Sequence, residues 1–321
     1  MGGAAESEAG HPVWPQREPH SGRGRALIRA HPELRGLAGR NPGTAWCIAA
    51  LVTFQLLVAA SVADLQWWKI ALAAYLVGAV AALALWTLLH ECSHDLVLRK
   101  RGHNRALGIV VGLPLVLPVA ASFRKYHRLH HRHQGDPQYD ADIASEWEKR
   151  FVGRSGLRKA LWLVGGPAIQ SLRAMGMTRV GLWDRDFAVN AAVQIVFDAV
   201  VVLVLGWGAL FYLLLANCFS LGLHPLGGRM IQEHFALAEG QETYSYYGPA
   251  NAFVFNAGYH VEHHDLVGVP WNRLPQVSRI APEFYENLQS HRSWTALVWR
   301  FLRDASITLD TRAKRGDGSP R

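Results

Sequence analysis

Hydrophobic positions along the chain gather into four long runs, residues 44–63, 67–89, 187–205 and 207–224, and the charged positions are kept almost wholly between them. The runs form two pairs. Only Asp64, Leu65 and Gln66 part the first two, and Gly206 alone parts the second two, so each pair predicts two helices joined by a tight turn. At 1.5 Å per residue the run 67–89 would reach about 34 Å, enough to cross a hydrocarbon core of about 30 Å. A further apolar stretch, 106–122, is shorter and carries Pro114 and Pro118, which interrupt a helix. It predicts a re-entrant or interfacial segment, because one extra crossing would put the two halves of the chain on opposite sides of the membrane. The expected fold is an all-α integral membrane protein with four transmembrane helices in two hairpins. Residues 44–321 are expected to form one membrane domain, preceded by a Gly-, Pro- and Arg-rich segment, 1–43, that is mobile at its start.

Charge orients this pattern. The 321-residue chain is 50% hydrophobic yet carries a net charge of +8. Arg17, Arg23, Arg25, Arg29, Arg35 and Arg40 precede the first run, and Arg99, Lys100, Arg101, Arg105, Arg124 and Lys125 follow the second. Neither hairpin turn has a Lys or Arg, so the positive-inside rule places both termini and the segment 90–186 in the cytoplasm. The membrane would be the bacterial inner membrane, or the endoplasmic reticulum membrane in a eukaryote. Lys69 sits near the far interface, where its stem can snorkel, and Trp67 and Trp68 read as belt residues. The cations are scattered through interhelical segments, not gathered on one helix with interleaved aromatics, which argues against a nucleic-acid partner. Cys47, Cys92 and Cys218 form no spaced pair and predict reduced thiols. Glu6 stands where N-terminal myristoylation needs Ser or Thr, so Met1-Gly2 predicts no lipid anchor.

The candidate chemistry lies in the histidines, of which there are sixteen. His90-Glu91-Cys92-Ser93-His94 fits the H-E-x-x-H pattern of zinc proteases, with both imidazoles on one helix face. On its own it would predict an intramembrane zinc protease. Two further groups repeat the spacing, however: His127, His130 and His131 in HRLHH, and His260, His263 and His264 in HVEHH. A catalytic zinc takes three protein ligands, so eight histidines are too many for one, whereas two metal ions would use them. Imidazole suits iron, copper, zinc and nickel alike.

These stretches resemble the three histidine boxes of the membrane fatty acid desaturase and hydroxylase superfamily, and most of all the sphingolipid delta-4 (dihydroceramide) desaturases. The likeness is carried by SFRKYHRLHH (122–131), GLHPLGGRMIQEH (222–234), ETYSYYGPANAFVFNAGYHVEHHD (242–265) and LPQVSRIAPEFYENL (274–288), and it covers nearly the whole chain. It implies a cytoplasmic helical cap holding a di-iron site, with dioxygen as co-substrate and two hydrogens removed from neighbouring carbons of a membrane lipid. It also implies that His234 is a ninth iron ligand, with His224 as a second-shell or substitute ligand. The chain departs from the sphingolipid pattern at Arg229, where a histidine is expected. The sequence has no dinucleotide fingerprint, so electrons are expected from a separate cytochrome b-type or ferredoxin-type protein with an NAD(P)H-dependent reductase.

Glu91, Asp95, Glu262 and Asp265 are expected to offset the charge of the metals or orient the ligand rings, or else to bond at solvated helix ends. Asn190, Gln194 and Asp198 recur at i, i+4 and i+8 in the third run, a polar stripe that would receive a lipid head or bond between helices. Tyr244, Tyr246 and Tyr247 would wall a lipid channel or pack at the interface. Desaturation of dihydroceramide is the leading expectation. A hydroxylase and a fatty acyl desaturase are rivals on the same site.

Overall fold

The computed structural model describes residues 19–177 and 179–315. Helix α1 (His20–Ala30) is followed by α2 (Thr44–Val62), α3 (Trp67–Ser93), α4 (Arg101–Gly112) and α5 (Val119–His133). Then come α6 (Glu146–Val152), α7 (Gly156–Val164), α8 (Gly166–Gly176), α9 (Arg185–Leu205), α10 (Trp207–Ser220) and α11 (Gly228–His234). The chain closes with α12 (His260–Asp265), α13 (Leu274–Ile280) and α14 (Trp294–Arg303). Two short strands, Ser245–Tyr246 and Ser290–His291, pair in parallel, with Ser245 opposite Ser290.

Among the described residues three helices, α2, α3 and α9, are long and apolar enough to cross a membrane. Their burial differs: 67% of the apolar window of α3 is covered, against 22% for α2 and 17% for α9, so α3 is the central helix and the other two face outward. Trp46, Leu57, Ile195, Leu203 and Val204 are accordingly exposed apolar side chains, as a lipid-facing surface requires. Trp67 and Trp68 are exposed too, and the Lys69 ammonium lies 5.3 Å from the Trp68 ring. At 27 residues α3 would reach about 40 Å, longer than a hydrocarbon core of about 30 Å, and His90 lies in its last turn.

The run 207–224 differs from its expected single helix. Helix α10 stops at Ser220, and the chain bends by 46° into the Pro225–His234 segment. Pro225 has no N–H to continue a helix, and the Leu226 N–H is taken by His224 Nδ1 at 3.1 Å. The stretch 106–122 is also bent: Arg101–Leu115 and Val119–His133 meet at 116°, with Val116 at φ 66° between the two prolines. Among the described residues three helices therefore pass as continuous spans, or up to five if each bent pair is one span.

Polar side chains pin this bundle where backbone groups lose their helical partners. Residues Ala74–Gly78 of α3 form a π turn, and such a turn frees carbonyls that lipid cannot satisfy. His224 Nε2 lies 3.2 Å from the Tyr75 carbonyl, and Gln55 donates through Nε2 to the Gly78 carbonyl while its Oε1 accepts from Tyr212 Oη at 2.8 Å. Gly78 has no alternative here, because a Cβ would stand 2.7 Å from that of Ala216 on α10. Asn217 Nδ2 donates to the Leu115 carbonyl at 2.7 Å and its Oδ1 accepts from Trp86 Nε1 at 2.9 Å, tying α10 to both α3 and the bend at 113–118.

The remaining helices build smaller cores, two of which join the C-terminal half of the chain to earlier segments. Val152, Trp162, Ile231, Phe235 and Phe301 form one, and Leu27, Leu34, Val261, Leu274 and Val277 the other. Each fully buried aliphatic side chain here contributes about 1.5–3 kcal/mol. The segment 1–43 is thus part of the fold from α1 onward, while its expected mobile start and Gly2 lie in residues 1–18, outside the described residues. Replacing Asn217 by Leu removes both bonds, and a loss of about 1–2 kcal/mol is expected, read as a lower Tm in detergent; an unchanged Tm would contradict its anchoring role.

Candidate metal centre

The last turn of α3, the second half of α5, the end of α11 and all of α12 meet at one place. Helical spacing of i, i+3 and i+4 stacks imidazoles on one face of α3, α5 and α12, and these three faces converge with His234 at the end of α11. The ligand nitrogens of His90, His94, His127, His131 and His263 lie within 4.8 Å of one another. Successive Nε2 atoms stand 2.9 Å apart for His90 and His263, 3.1 Å for His263 and His131, 3.0 Å for His131 and His127, and 2.9 Å for His127 and His94. A second group holds His130, His234 and His264 within the same limit. His234 Nε2 is 2.9 Å from that of His130 and 3.1 Å from that of His260, which completes four. The rings of His131 and His264 stack at 4.2 Å and join the two groups.

This geometry fits two metal ions. Two nitrogens each about 2.1 Å from one ion and at right angles about it would be about 3.0 Å apart, the spacing that recurs here. Hydrogen bonding alone is a poor account, because one proton can serve only one nitrogen pair at a time, and the buried Nε2 of His264 has no partner. Burial first, and neighbouring imidazoles second, hold His260, His263 and His264 well below the ordinary histidine range, so each keeps its lone pair at neutral pH.

The outer ring nitrogens are held from behind. His130 Nδ1 is 2.9 Å from Asp140 Oδ1, and this carboxylate also accepts from the Gly135 N–H. Burial opposes a charge on His130, yet Asp140 and Asp142 outweigh it and raise the imidazole above its ordinary value. A cation at Nε2 would take the place of that second proton. His234 Nδ1 has Gln134 Nε2 at 3.4 Å and Thr243 Oγ1 at 3.5 Å. Thr243 is held in turn by His20 Nε2 at 2.9 Å, whose Nδ1 is 2.7 Å from Asp265. Helix α1 can lie this close because Gly24 has no Cβ, which would stand 2.3 Å from the Asp265 carbonyl oxygen.

The four expected carboxylates are each held by hydrogen-bond donors. Glu91 accepts from the Trp271 N–H at 3.1 Å and comes no nearer than 3.7 Å to His90 Nδ1. Asp95 is gripped by both Arg124 Nη2 contacts at 2.9 Å and by Arg128, away from any ring nitrogen. Glu262 accepts from Ser245 and Tyr247, and Asp265 from Arg23 and Tyr285. His224 stands apart at the π turn. Asp140, Thr243 and His20 escape a reading by spacing, since none lies at helical distance from a histidine box, whereas Gln134 stands four residues after His130 at the end of α5.

A cavity of about 110 Å³ opens onto both groups, reaching His127 of the first and His130, His234 and His260 of the second. Trp86, Phe123, Tyr126 and Met230 form apolar walls, and Arg229 and Glu233 supply a charged end. Phe123 stacks on His127 at 4.9 Å. Arg229, where a histidine is expected, pairs with Glu233 at 2.7 Å. The polar stripe of α9 lies elsewhere: Asn190 accepts from the Ala121 N–H, and Gln194 donates to the Leu113 carbonyl and to Asp198. Tyr244, Tyr246 and Tyr247 are packed into the cap, Tyr246 stacked on Trp294 at 4.1 Å.

The profile of the fatty acid desaturase family matches residues 65–296. A sphingolipid delta(4)-desaturase of Drosophila melanogaster is 40% identical over 305 residues, covering 93% of each chain. The chain belongs to the fatty acid desaturase family. Within it, similar proteins include a sphingolipid delta(4)-desaturase of Schizosaccharomyces pombe, 37% identical over 93% of this chain and 86% of that one. A protein of Rattus norvegicus named sphingolipid delta(4)-desaturase/C4-monooxygenase is 36% identical, covering 93% and 92%.

Two outcomes are expected of this desaturase centre. Asp140→Ala frees the His130 ring, and metal affinity should drop about 10–100-fold by chelator competition; unchanged affinity would deny Asp140 an orienting role. In chelated protein the last-box histidines take up protons only on unfolding, so the unfolded state binds more protons below about pH 6.5 and stability falls with pH there, by up to about 1.4 kcal/mol per unit for each histidine. His130 acts with the opposite sign but is outnumbered. A Tm that stays flat from about pH 7.5 to about pH 5.5 would contradict buried neutral imidazoles.

Proposed function

We propose that this protein is a membrane sphingolipid delta(4)-desaturase, which takes two hydrogens from neighbouring carbons of the sphingoid base of a dihydroceramide-type lipid. The observation that carries this reading is the cavity of about 110 Å³ in contact with both histidine groups. The names of its relatives supply the substrate. Saturated carbon offers no charge for an acid or base to exploit, so hydrolytic groups cannot act on it. Two iron ions, when bound, supply the oxidising chemistry with dioxygen that such a bond requires.

His90, His94, His127, His131 and His263 would hold one ion, and His130, His234, His260 and His264 the other. Trp86, Phe123 and Met230 line the approach with apolar surface, which excludes water and suits an alkyl chain. Asp140, Gln134 and Thr243 keep the rings of His130 and His234 turned with Nε2 toward the centre. Both termini lie in the cytoplasm, supported by the Lys and Arg residues that flank α2 and α3, with the cap at the inner face and four spans counting α10. Electrons come from a separate cytochrome b-type or ferredoxin-type carrier served by an NAD(P)H-dependent reductase.

Hydroxylation is the second reading, favoured by the relative whose name joins both reactions. Both begin at the same carbon. In cells without a desaturase of their own, fed labelled dihydroceramide and labelled fatty acid, mass spectrometry of the lipids should show dihydroceramide losing two hydrogens. His127→Ala and His234→Ala should each cut product by at least about a hundredfold. Gain of oxygen would assign a hydroxylase, and change in the fatty acid alone would overturn the sphingolipid substrate.

A further inference from the structure

Behind α5, on the side away from the catalytic cavity, a larger groove of about 780 Å³ lies between α3, α4, α5 and the start of α9. Its lining divides by chemistry. Leu89, Ile109, Ala120 and Val189 give an apolar floor, and Val189 is exposed on the outward face of α9. The rim carries Arg105, Arg124, Lys125, Arg128, Arg132 and Arg185, against two carboxylates, Asp184 and Asp186. Lys125 pairs with Asp184 and Arg105 with Asp186, and Arg124 and Arg128 share Asp95. Among the described residues Arg132 and Arg185 make no ion pair, so the rim keeps uncompensated positive charge.

We propose that this groove is a binding site for an anionic glycerophospholipid of the leaflet that faces the cap. A phosphodiester would sit among the guanidinium groups, which match phosphate oxygens with paired N–H donors, and an acyl chain would lie along Leu89, Ile109 and Val189. Clustered cations at the end of membrane helices draw anionic lipids in this way. A freely soluble phosphate would have no use for the apolar floor, and a folded acidic protein would meet a concave surface sunk between helices. The site also touches the metal centre through one side chain. Arg124 donates to the carbonyls of Cys92 and Ser93 at 2.8 and 3.0 Å, at the turn that presents His94. A lipid phosphate there would share Arg124 with the end of α3, and the proposal holds whichever lipid the catalytic cavity takes.

The test uses purified full-length protein in detergent with dioleoylphosphatidylglycerol or dioleoylphosphatidylcholine, bound lipid being read by native mass spectrometry. The glycerol lipid should bind at least about tenfold more tightly, and the double substitution Arg132→Gln/Arg185→Gln should remove most of that preference. Arg150→Gln/Arg154→Gln, outside the groove, should leave it intact. Equal binding of the two lipids, or a preference untouched by the Arg132/Arg185 pair, overturns the proposal. Displacement of the lipid by inorganic phosphate at equal concentration overturns it in favour of a simple anion site. Should the double variant keep its lipid but lose turnover with an electron-carrier protein, the groove is a protein dock instead.

Discussion

A neutral imidazole is a metal ligand only while its lone pair is free and aimed, and nine imidazoles here crowd into two adjoining groups. The rest of the molecule answers to that constraint. Nitrogens about 3 Å apart repel unless a proton or a cation stands between them, so a bound metal would relieve that crowding. Burial keeps the rings unprotonated, and the surrounding polar groups keep them turned. Neither condition could be met by a short motif on a flexible loop.

Rigidity is supplied from within the bundle. The length of α3 carries His90 and His94 out to the cap, and the polar bonds of Gln55, Asn217 and His224 lock that helix against α10 and the bend at 113–118. These bonds sit where lipid offers no alternative partner, so breaking one leaves backbone groups unsatisfied. Arg124 extends the same logic at the membrane edge by closing the carbonyl end of α3. Trp86 belongs to both networks, since its ring walls the cavity while its N–H is held by Asn217. Packing in the membrane and the shape of the substrate path are therefore one problem.

The cap works as a vice. Helix α12, with the last three histidines, is pressed from one side by α1 and α13 and faces α5 and α11 on the other. Only Gly24 lets α1 approach closely enough for His20 to reach Thr243 and Asp265 together. A segment rich in Gly and Arg before the first span thus becomes part of the support for a site more than two hundred residues away.

The sequence by itself determined the helical membrane class, the ends of the long apolar helices to within a few residues and the histidines that the folded chain brings together. Periodicity carries that information, because a 3.6-residue repeat puts i, i+3 and i+4 on one face whatever the partner helix is. Only the tertiary structure decided how nine rings divide into five and four, since a ring belongs to whichever group its helix crossing directs it toward. It also decided that Asp140, Gln134, Thr243 and His20 stand behind the rings while Asp95 and Glu262 turn to Arg and Tyr partners. It further took the α9 stripe into bonds with the bend at 113–121 and ended α10 early, at Ser220, ahead of His224 and Pro225. A hydrogen-bond partner is chosen by distance in space, and no spacing along a chain records which distant atom arrives first.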